Sequence, residues 1–228
     1  MLKNKIYIPT KDADSWREFL ADKDKHWKKD FSAMETALSW EKANGLPKEI
    51  AKILSQDSKF VTAELLMALP EYKVSLPGGS SASQNDVLAV LRTEESLTVM
   101  TVEGKAKEDF DKKIVDWKKS TSDTGVAVRL GFLIETLGIK DKEIDSLRYQ
   151  LFHRLASAII MAEKFHAKNA IMIIQSFEDN NKINHFDDYA QFIALYGIEN
   201  AEKSKLYKLS EIDGISVYAG WVCSECQK

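Results

Sequence analysis

Two acids and a lysine near the middle of the chain have the types and spacing of a small polar reaction site. Residues 87–92 and 97–102 are rich in β-branched and aliphatic residues, and the short polar segment between them predicts a β-hairpin. If the two strands pair directly across that turn, Asp86 lies opposite Glu103, with Cβ atoms roughly 4.5–5.5 Å apart. Side chains alternate along a strand, so Lys105 shares the face of Glu103. Two carboxylates at this distance can share one divalent cation beside the amine.

The arrangement of Asn85-Asp86 followed by Glu103-Gly104-Lys105 resembles the signature of the PD-(D/E)XK nuclease superfamily. In that superfamily the aspartate and the second acid hold Mg²⁺, and the lysine positions or activates the attacking water. The resemblance implies those catalytic roles for Asp86, Glu103 and Lys105, with Mg²⁺ or Mn²⁺ as cofactor. Asn85 stands where the name motif has proline. The alternative interpretation is the solvated end of a strand, because such triplets also arise by chance in a highly charged chain.

The segment before the hairpin supplies another candidate acid. Residues 60–69 predict an apolar helix that ends before Pro70, and Glu64 is the carboxylate in its interior. In the superfamily a helix that precedes the hairpin often contributes an acid, so the resemblance assigns Glu64 to the metal together with Asp86 and Glu103. The alternative is an ordinary exposed helix residue.

A loop rich in glycine and serine leads into the hairpin. Residues 76–83 (LPGGSSAS) predict a flexible connection that lets the backbone and Gln84 approach the site or a substrate closely. The segment lacks the later glycine, lysine and hydroxyl of a phosphate-binding loop. Ser80, Ser81 and Ser83 are interpreted as turn formers and not as nucleophiles, because no histidine lies nearby in sequence.

The longest predicted helix carries a polar stripe on an otherwise apolar surface. Within residues 142–165, Gln150, His153 and Arg154 share one stripe of a 3.6-residue helix, which must face solvent or a wet cleft. Arginine suits bidentate recognition of anions, so Arg154 and the neighbouring Arg148 are candidates for contacting phosphate. The segment also resembles the helix that follows the E-x-K strand in the superfamily, which implies that Gln150 faces the metal. For His153 a structural role is favoured over that of a general base.

The resemblance extends over residues 60–222. The blocks SQNDVLA, VEGK and YQLFHR are similar to those of an uncharacterised bacterial group of nuclease-like proteins. This implies an α/β restriction-endonuclease-like fold with a mixed central sheet flanked by helices. A helical N-terminal region over residues 1–56 is expected to pack on a nuclease-like domain over residues 57–228. Further elements are predicted at residues 109–119, 126–137 and 186–196 (helices) and at 169–177 and 215–222 (strands).

Composition narrows the class of protein. The 228 residues, 44% hydrophobic and 29% charged, are typical of one globular domain, and no apolar run predicts a signal peptide or a membrane span. Cys223 and Cys226 are expected to be free thiols in a reducing cytoplasm; the alternative is an unusual metal site completed by His166 or His185. The net charge of −3 supplies no general attraction for nucleic acid.

Three functional hypotheses remain open from the sequence. The first is a metal-dependent nuclease whose partner is nucleic acid, with DNA favoured over RNA, and which acts as a homodimer if it cuts both strands. The second is a catalytically silent fold that binds a protein or a small ligand; the acidic net charge favours it. The third is a nuclease component whose protein partner supplies the affinity for nucleic acid.

Overall fold

The protein is built around one six-stranded mixed sheet. A computed structural model describes residues 10–20, 22–120, 125–177 and 185–226. The strands lie in the order β1-β2-β3-β4-β6-β5. They are β1 (Glu64–Val74), β2 (Ser83–Arg92), β3 (Leu97–Lys105), β4 (Asn169–Ser176), β5 (Leu206–Ile212) and β6 (Ile215–Cys223). The first three pair antiparallel, β4 runs parallel to both β3 and β6, and β5 closes the sheet antiparallel to β6.

Helices cover both faces of this sheet. They are α1 (Lys23–His26), α2 (Ser32–Ala43), α3 (Lys48–Leu54), α4 (Ile114–Ser120), α5 (Gly125–Leu137), α6 (Tyr149–Lys164) and α7 (His185–Ala194), with 3₁₀ helices at Ala13–Phe19 and Ser58–Phe60. The N-terminal helices α2 and α3 form one layer, in which Trp16 and Trp40 are fully buried. Helices α5, α6 and α7 form the other layer, and α6 packs on β3 and β4. The core therefore lies on both sides of the sheet.

Burial explains which strands are continuously apolar. Strand β4 is buried at every residue because it is a central parallel strand with helices on both faces. In β2 the burial alternates by layer: Val87 and Ala89 face the N-terminal helices, whereas Leu88 faces α6. Among the described helices, none combines the length and hydropathy that crossing a bilayer requires.

The predicted hairpin register is confirmed. Arg92 pairs with Leu97, and the ladder continues to Val87 opposite Val102. The mixed sheet flanked by helices is also as predicted, and the helices expected in the first 56 residues lie on one face of it. The short polar turn and the alternating aliphatic residues were sufficient to fix this local pairing.

The predicted helix over residues 60–69 is wrong, because residues 64–69 belong to the edge strand β1 and residue 60 ends a 3₁₀ helix. A β-bulge between Leu65 and Met67 interrupts the alternation, so the apolar run shows no two-residue period. Pro70 is tolerated because an edge strand leaves one row of backbone groups unpaired. Because the segment is a strand and not a helix, its side chains point in directions different from those predicted.

Two helix boundaries and one further strand also differ from prediction. Helix α4 begins only at Ile114 and α6 only at Tyr149, and strand β5 was not predicted. An edge strand of seven residues that is mostly half-buried or exposed gives a weak apolar signal.

Candidate active site at the open end of the hairpin

The open end of the β2–β3 hairpin brings together the residues singled out by spacing. Beyond the last pair of the ladder, the backbone N–H of Gly104 donates to Asp86 Oδ2 over 2.7 Å. Lys105 Nζ lies 3.0 Å from Glu103 Oε1, and both side chains are about 5% exposed. Asp86 itself is half-buried. Two acids and a lysine thus share one end of the sheet.

Helix α6 supplies the remaining partners of Glu103. Gln150 Nε2 donates to Glu103 Oε1 over 2.7 Å, and Arg154 Nε donates to Oε2. Burial alone would raise the pKa of this carboxyl, but Arg154 and Lys105 outweigh it and hold the pKa below its ordinary value. Both oxygens of Glu103 are therefore held by positive or amide groups.

Asp86 and Glu71 differ from Glu103 in electrostatic environment. Burial, then the charges of Glu103 and Glu71, raise the pKa of Asp86 well above its ordinary value. Burial likewise raises the pKa of Glu71 to about 7, although Gln84 Nε2 donates to its Oε2 over 2.8 Å. Adjacent acids whose environments push their pKa values apart are typical of functional sites.

Glu71 also has a strained backbone. Its φ is 51°, in the left-handed region that residues with a Cβ rarely adopt. It lies between Pro70 and Tyr72, which pair with Val87 and Asn85, so it stands beside Asp86 on the neighbouring strand. Backbone strain of this kind clusters at functional sites.

The structure does not bring Glu64 to this site. Glu64 pairs with Arg92 at the turn end of β2, and its exposed carboxylate lies 2.7 Å from the Arg92 guanidinium. Seven residue-to-residue steps of roughly 3.3 Å along the strand separate it from Glu71. The predicted metal role of Glu64 therefore fails, because the segment is a strand and its site-facing acid is Glu71.

Three predicted substrate contacts are already engaged within the protein. Gln84 donates to Glu71, as described above, and Arg154 is buried against Glu103. Arg148 Nε donates to Asp188 over 3.0 Å, and its Nη1 lies 3.3 Å from the carbonyls of residues 110 and 111. Arg148 therefore fixes the segment before α6 to its neighbours.

A serine–histidine contact lies behind Arg154 and was missed from the sequence. Ser83 Oγ is 2.9 Å from His153 Nδ1, and Arg154 Nη1 is 3.1 Å from both atoms. A guanidinium can only donate, so Nδ1 accepts and the proton of the neutral imidazole is on Nε2. Burial, and next the charge of Arg154, place the pKa of His153 well below its ordinary value. The fold supplies the histidine that the local sequence around Ser83 lacks.

Helix α2 forms the back wall of the site. A Cβ at Gly104 would lie 2.3 Å from Thr36 Oγ1 and 3.2 Å from Asp86 Oδ2, so only glycine fits between strand β3 and helix α2. Thr36 is buried, and its hydroxyl has no hydrogen-bond partner among the described residues. The preceding Glu35 is 1% exposed. Sequence reasoning missed this buried acid, because its burial depends on how α2 packs against the sheet.

The donor types at this site suit a hard divalent cation. Asp86, Glu71 and Glu103 offer carboxylate oxygens, which Mg²⁺ and Mn²⁺ prefer. The pKa values of Asp86 and Glu71 are raised first by burial and then by the charges of neighbouring acids, which together outweigh the opposing charges of Arg154 and nearby lysines. Within the described ranges, however, no three metal-ligating side chains converge on one point. The residues fit the cation in chemistry, provided that Glu103 exchanges one of its present partners.

The C-terminal thiols lie apart from this arrangement. Neither Cys223 nor Cys226 forms a disulfide, as expected, and Cys226 Sγ lies 3.2 Å from the carbonyl of Phe177. His185 is buried beside Asp109, at 3.5 Å, and against the ring of Phe110. The part of the chain that the structure describes does not assemble a cysteine–histidine metal site.

Comparison with curated proteins finds no match, and comparison with solved structures finds none either. One family matches, over residues 9–226, which is nearly the whole chain. The protein belongs to the family described as Domain of unknown function (DUF6946).

Proposed function

We propose that the protein is a metal-dependent phosphodiesterase of the PD-(D/E)XK nuclease type. The observation that carries this proposal is the meeting of Asp86, Glu103 and Lys105 at the open end of one hairpin. Asp86, Glu71 and Glu103 would hold Mg²⁺ or Mn²⁺. Glu71 takes the place that the sequence had assigned to Glu64.

The order of elements supports the restriction-endonuclease-like fold within this proposal. The strand that carries Glu103 and Lys105 is followed by α4, α5 and α6 and then by β4, which runs parallel to β3. The resemblance implies that the helix in this position turns a polar residue to the metal, and Gln150 of α6 contacts Glu103. Topology and contact therefore agree with the same assignment.

The chain's own residues have separable roles in this mechanism. A bound cation supplies Lewis acidity and lowers the pKa of a water molecule. Lys105 would orient the attacking water and stabilise negative charge on the scissile phosphate. Arg154 and Lys105 hold the pKa of Glu103 below its ordinary value and so keep it ionised, and the hydrogen bond from Gln150 orients it. Asp86 and Glu71 would release their protons when the cation enters.

Nucleic acid remains the proposed substrate, although the site offers little free positive charge to attract it. The net charge is −3, and Arg154 is committed to Glu103. A protein partner that supplies affinity for DNA, or a second copy of the chain, would compensate for this deficit.

A cleavage assay tests the mechanism at Lys105. Labelled single-stranded DNA, duplex DNA and RNA are incubated with Mn²⁺ and either wild type, Lys105→Ala or the control Lys107→Ala. Lys107 lies two residues after Lys105 in the sequence, and it is an exposed lysine that pairs with Asp30. We expect Lys105→Ala to cleave at least about 100-fold more slowly than wild type, and Lys107→Ala to cleave at the wild-type rate. Equal cleavage by wild type and Lys105→Ala would remove this mechanism.

A second candidate function is a catalytically silent fold that binds a protein or a small ligand. The specific observation in its favour is that Lys105, Gln150 and Arg154 already satisfy both oxygens of Glu103. Calorimetric titration with Mn²⁺ separates the two candidates. The nuclease proposal expects binding that is lost in Asp86→Asn and kept in Glu64→Gln. Absence of Asp86-dependent binding favours the silent fold.

A further inference from the structure

A second cavity lies next to the carboxylate site, on the far side of Arg154 and His153. It has a volume of about 400 Å³ and lies between the loop of residues 76–83 and helices α4, α5 and α6. We call it the loop pocket; Ser83 and His153 line it and also contact Arg154. Its volume falls within the range of about 300–1,000 Å³ that small-molecule sites usually have.

The loop that forms this pocket is held in a fixed conformation. Arg129 Nε donates to the carbonyl of Pro77 over 2.9 Å, and its Nη2 lies 3.2 Å and 3.3 Å from the carbonyls of Leu76 and Gly79. Gly78 has a φ of 75°, and a Cβ there would lie 2.6 Å from the backbone nitrogen of Arg129. The loop is therefore pressed onto α5, and the pocket is preformed.

The wall of the loop pocket carries a buried positive charge. Arg129 is 7% exposed, and the partners just described are neutral carbonyl oxygens. Among residues 10–20, 22–120, 125–177 and 185–226, no carboxylate forms an ion pair with it. A buried guanidinium with neutral partners favours an anion nearby.

The neighbouring polar groups are also hydrogen-bond donors. Tyr149 lines the pocket, and its buried hydroxyl has no hydrogen-bond partner in the described part of the chain. The guanidinium of Arg129 lies near that hydroxyl without an aligned hydrogen bond. His153 bears its proton on Nε2, as deduced above, so it too can donate to a ligand. The negatively charged residue of the pocket lining is Asp111, which is exposed at the rim and would repel an anion.

The pocket also has a flat aromatic side. Trp117 stacks on Tyr149, with ring centroids 4.1 Å apart and planes 8° apart. Trp117 is half-buried and lines the pocket, so it presents part of its surface to an occupant. Aromatic side chains of this kind stack on nucleobases whatever their sequence.

We propose that the loop pocket binds a nucleoside monophosphate. The phosphate lies toward Arg129 and the Tyr149 hydroxyl, and the base lies along Trp117. This site uses none of the metal-binding carboxylates, so it holds whether or not the neighbouring site cleaves phosphodiesters.

Calorimetry without divalent cations tests the proposal on the full chain. AMP and UMP are compared with inorganic phosphate and with adenosine. We expect the nucleotides to bind at least about tenfold more tightly than either part alone, because phosphate and base contribute together. No saturable nucleotide binding at millimolar concentrations, or phosphate binding as tightly as AMP, would overturn the proposal.

Two variants test whether the nucleotide binds in the loop pocket and whether the ligand is an anion. Tyr149→Phe removes one donor and is expected to weaken AMP binding about threefold to tenfold. The matched control Tyr189→Phe, which removes another buried hydroxyl outside the pocket, should leave it unchanged. Asp111→Asn should strengthen binding, since it removes repulsion at the rim. Weaker binding in Asp111→Asn, or equal losses in both tyrosine variants, would contradict an anion in this pocket.

A further variant separates this proposal from the nuclease mechanism. Lys105→Ala should bind AMP as wild type does, because Lys105 does not line the loop pocket. Loss of AMP binding in Lys105→Ala would assign the nucleotide to the carboxylate site and overturn the loop-pocket proposal.

Discussion

The two ends of the β2 strand carry ion pairs of similar composition in opposite environments. At the turn end, Glu64 and Arg92 lie 2.7 Å apart with side chains more than half exposed. At the open end, Glu103 pairs with Lys105 and Arg154, and all three side chains are under a tenth exposed. The presence of a paired acid and base therefore does not by itself distinguish a functional site from an ordinary surface ion pair. Burial does, together with the neighbouring acids Glu71 and Asp86, which form no ion pair within the described part of the chain.

The energetic consequence differs as much as the exposure. An exposed pair gains little, because water screens the charges and the side chains lose freedom when they pair. A buried cluster is expensive to dismantle, since removal of one partner leaves the others charged and dry. Three expectations test this contrast, and the largest concerns Glu103.

Glu103→Gln should destabilise the protein by about 3–5 kcal/mol, because Lys105 and Arg154 would remain buried without their carboxylate. Urea unfolding followed by circular dichroism measures the loss. A loss below about 1 kcal/mol would show that solvent reaches the cluster and would weaken the contrast between the two ends.

The second expectation concerns pH. The pKa of Glu71 is about 7 in the folded protein and ordinary, near 4.5, in the unfolded chain, so only the folded state holds this proton between those values. Stability should therefore fall as pH rises through that window, by about 3 kcal/mol in all, when divalent cations are absent. Glu71→Gln should remove the part of the fall that Glu71 contributes in pH-dependent unfolding experiments. The pKa of Asp86 is also raised, so Asp86 contributes a fall in the same direction that remains in the variant.

The comparison with Glu71→Gln is needed because His153 acts in the opposite direction. Its pKa is depressed in the folded protein, so its contribution makes stability rise with pH until the ordinary value near 6.5 is passed. Subtracting the two stability curves cancels the contribution of His153 and leaves that of Glu71, together with the effect of its charge on the pKa of Asp86. A difference curve that is flat between pH 4.5 and 7 would contradict the raised pKa.

The smallest effect is expected at the exposed end. Glu64→Ala should change stability by no more than about 0.5 kcal/mol, and added salt should reduce the effect further. Thermal or urea unfolding at low and high salt measures it. A loss near that of Glu103→Gln would mean that exposure does not separate the two ends.

Local pattern predicted the part of the site that lies within the hairpin. Two aliphatic runs around a short turn determine their own register, and that register places Asp86 near Glu103 and Lys105. The polar stripe on α6 likewise predicted that Gln150 and Arg154 share a face. It did not predict that this face is dry, which is why Arg154 holds Glu103 and is not free for phosphate.

The rest depended on features that local periodicity does not contain. The bulge between Leu65 and Met67 concealed β1 and, with it, the place of Glu71. The contact of Ser83 with His153 joins residues 70 positions apart, so only the packing of α6 on the sheet creates it. Long-range contacts of this kind are settled by tertiary packing and not by neighbouring residues.

The close fit of α2 against Gly104 has a practical consequence for the division at residue 56. A shortened chain that starts at residue 57 keeps all six strands of the sheet but loses helix α2. That helix carries Thr36, whose hydroxyl oxygen would lie 2.3 Å from a Cβ at Gly104. Water would then reach Asp86 from behind, and the dry surroundings that raise its pKa would be lost. The N-terminal helices thus insulate the site, and the two parts of the chain have to be expressed together.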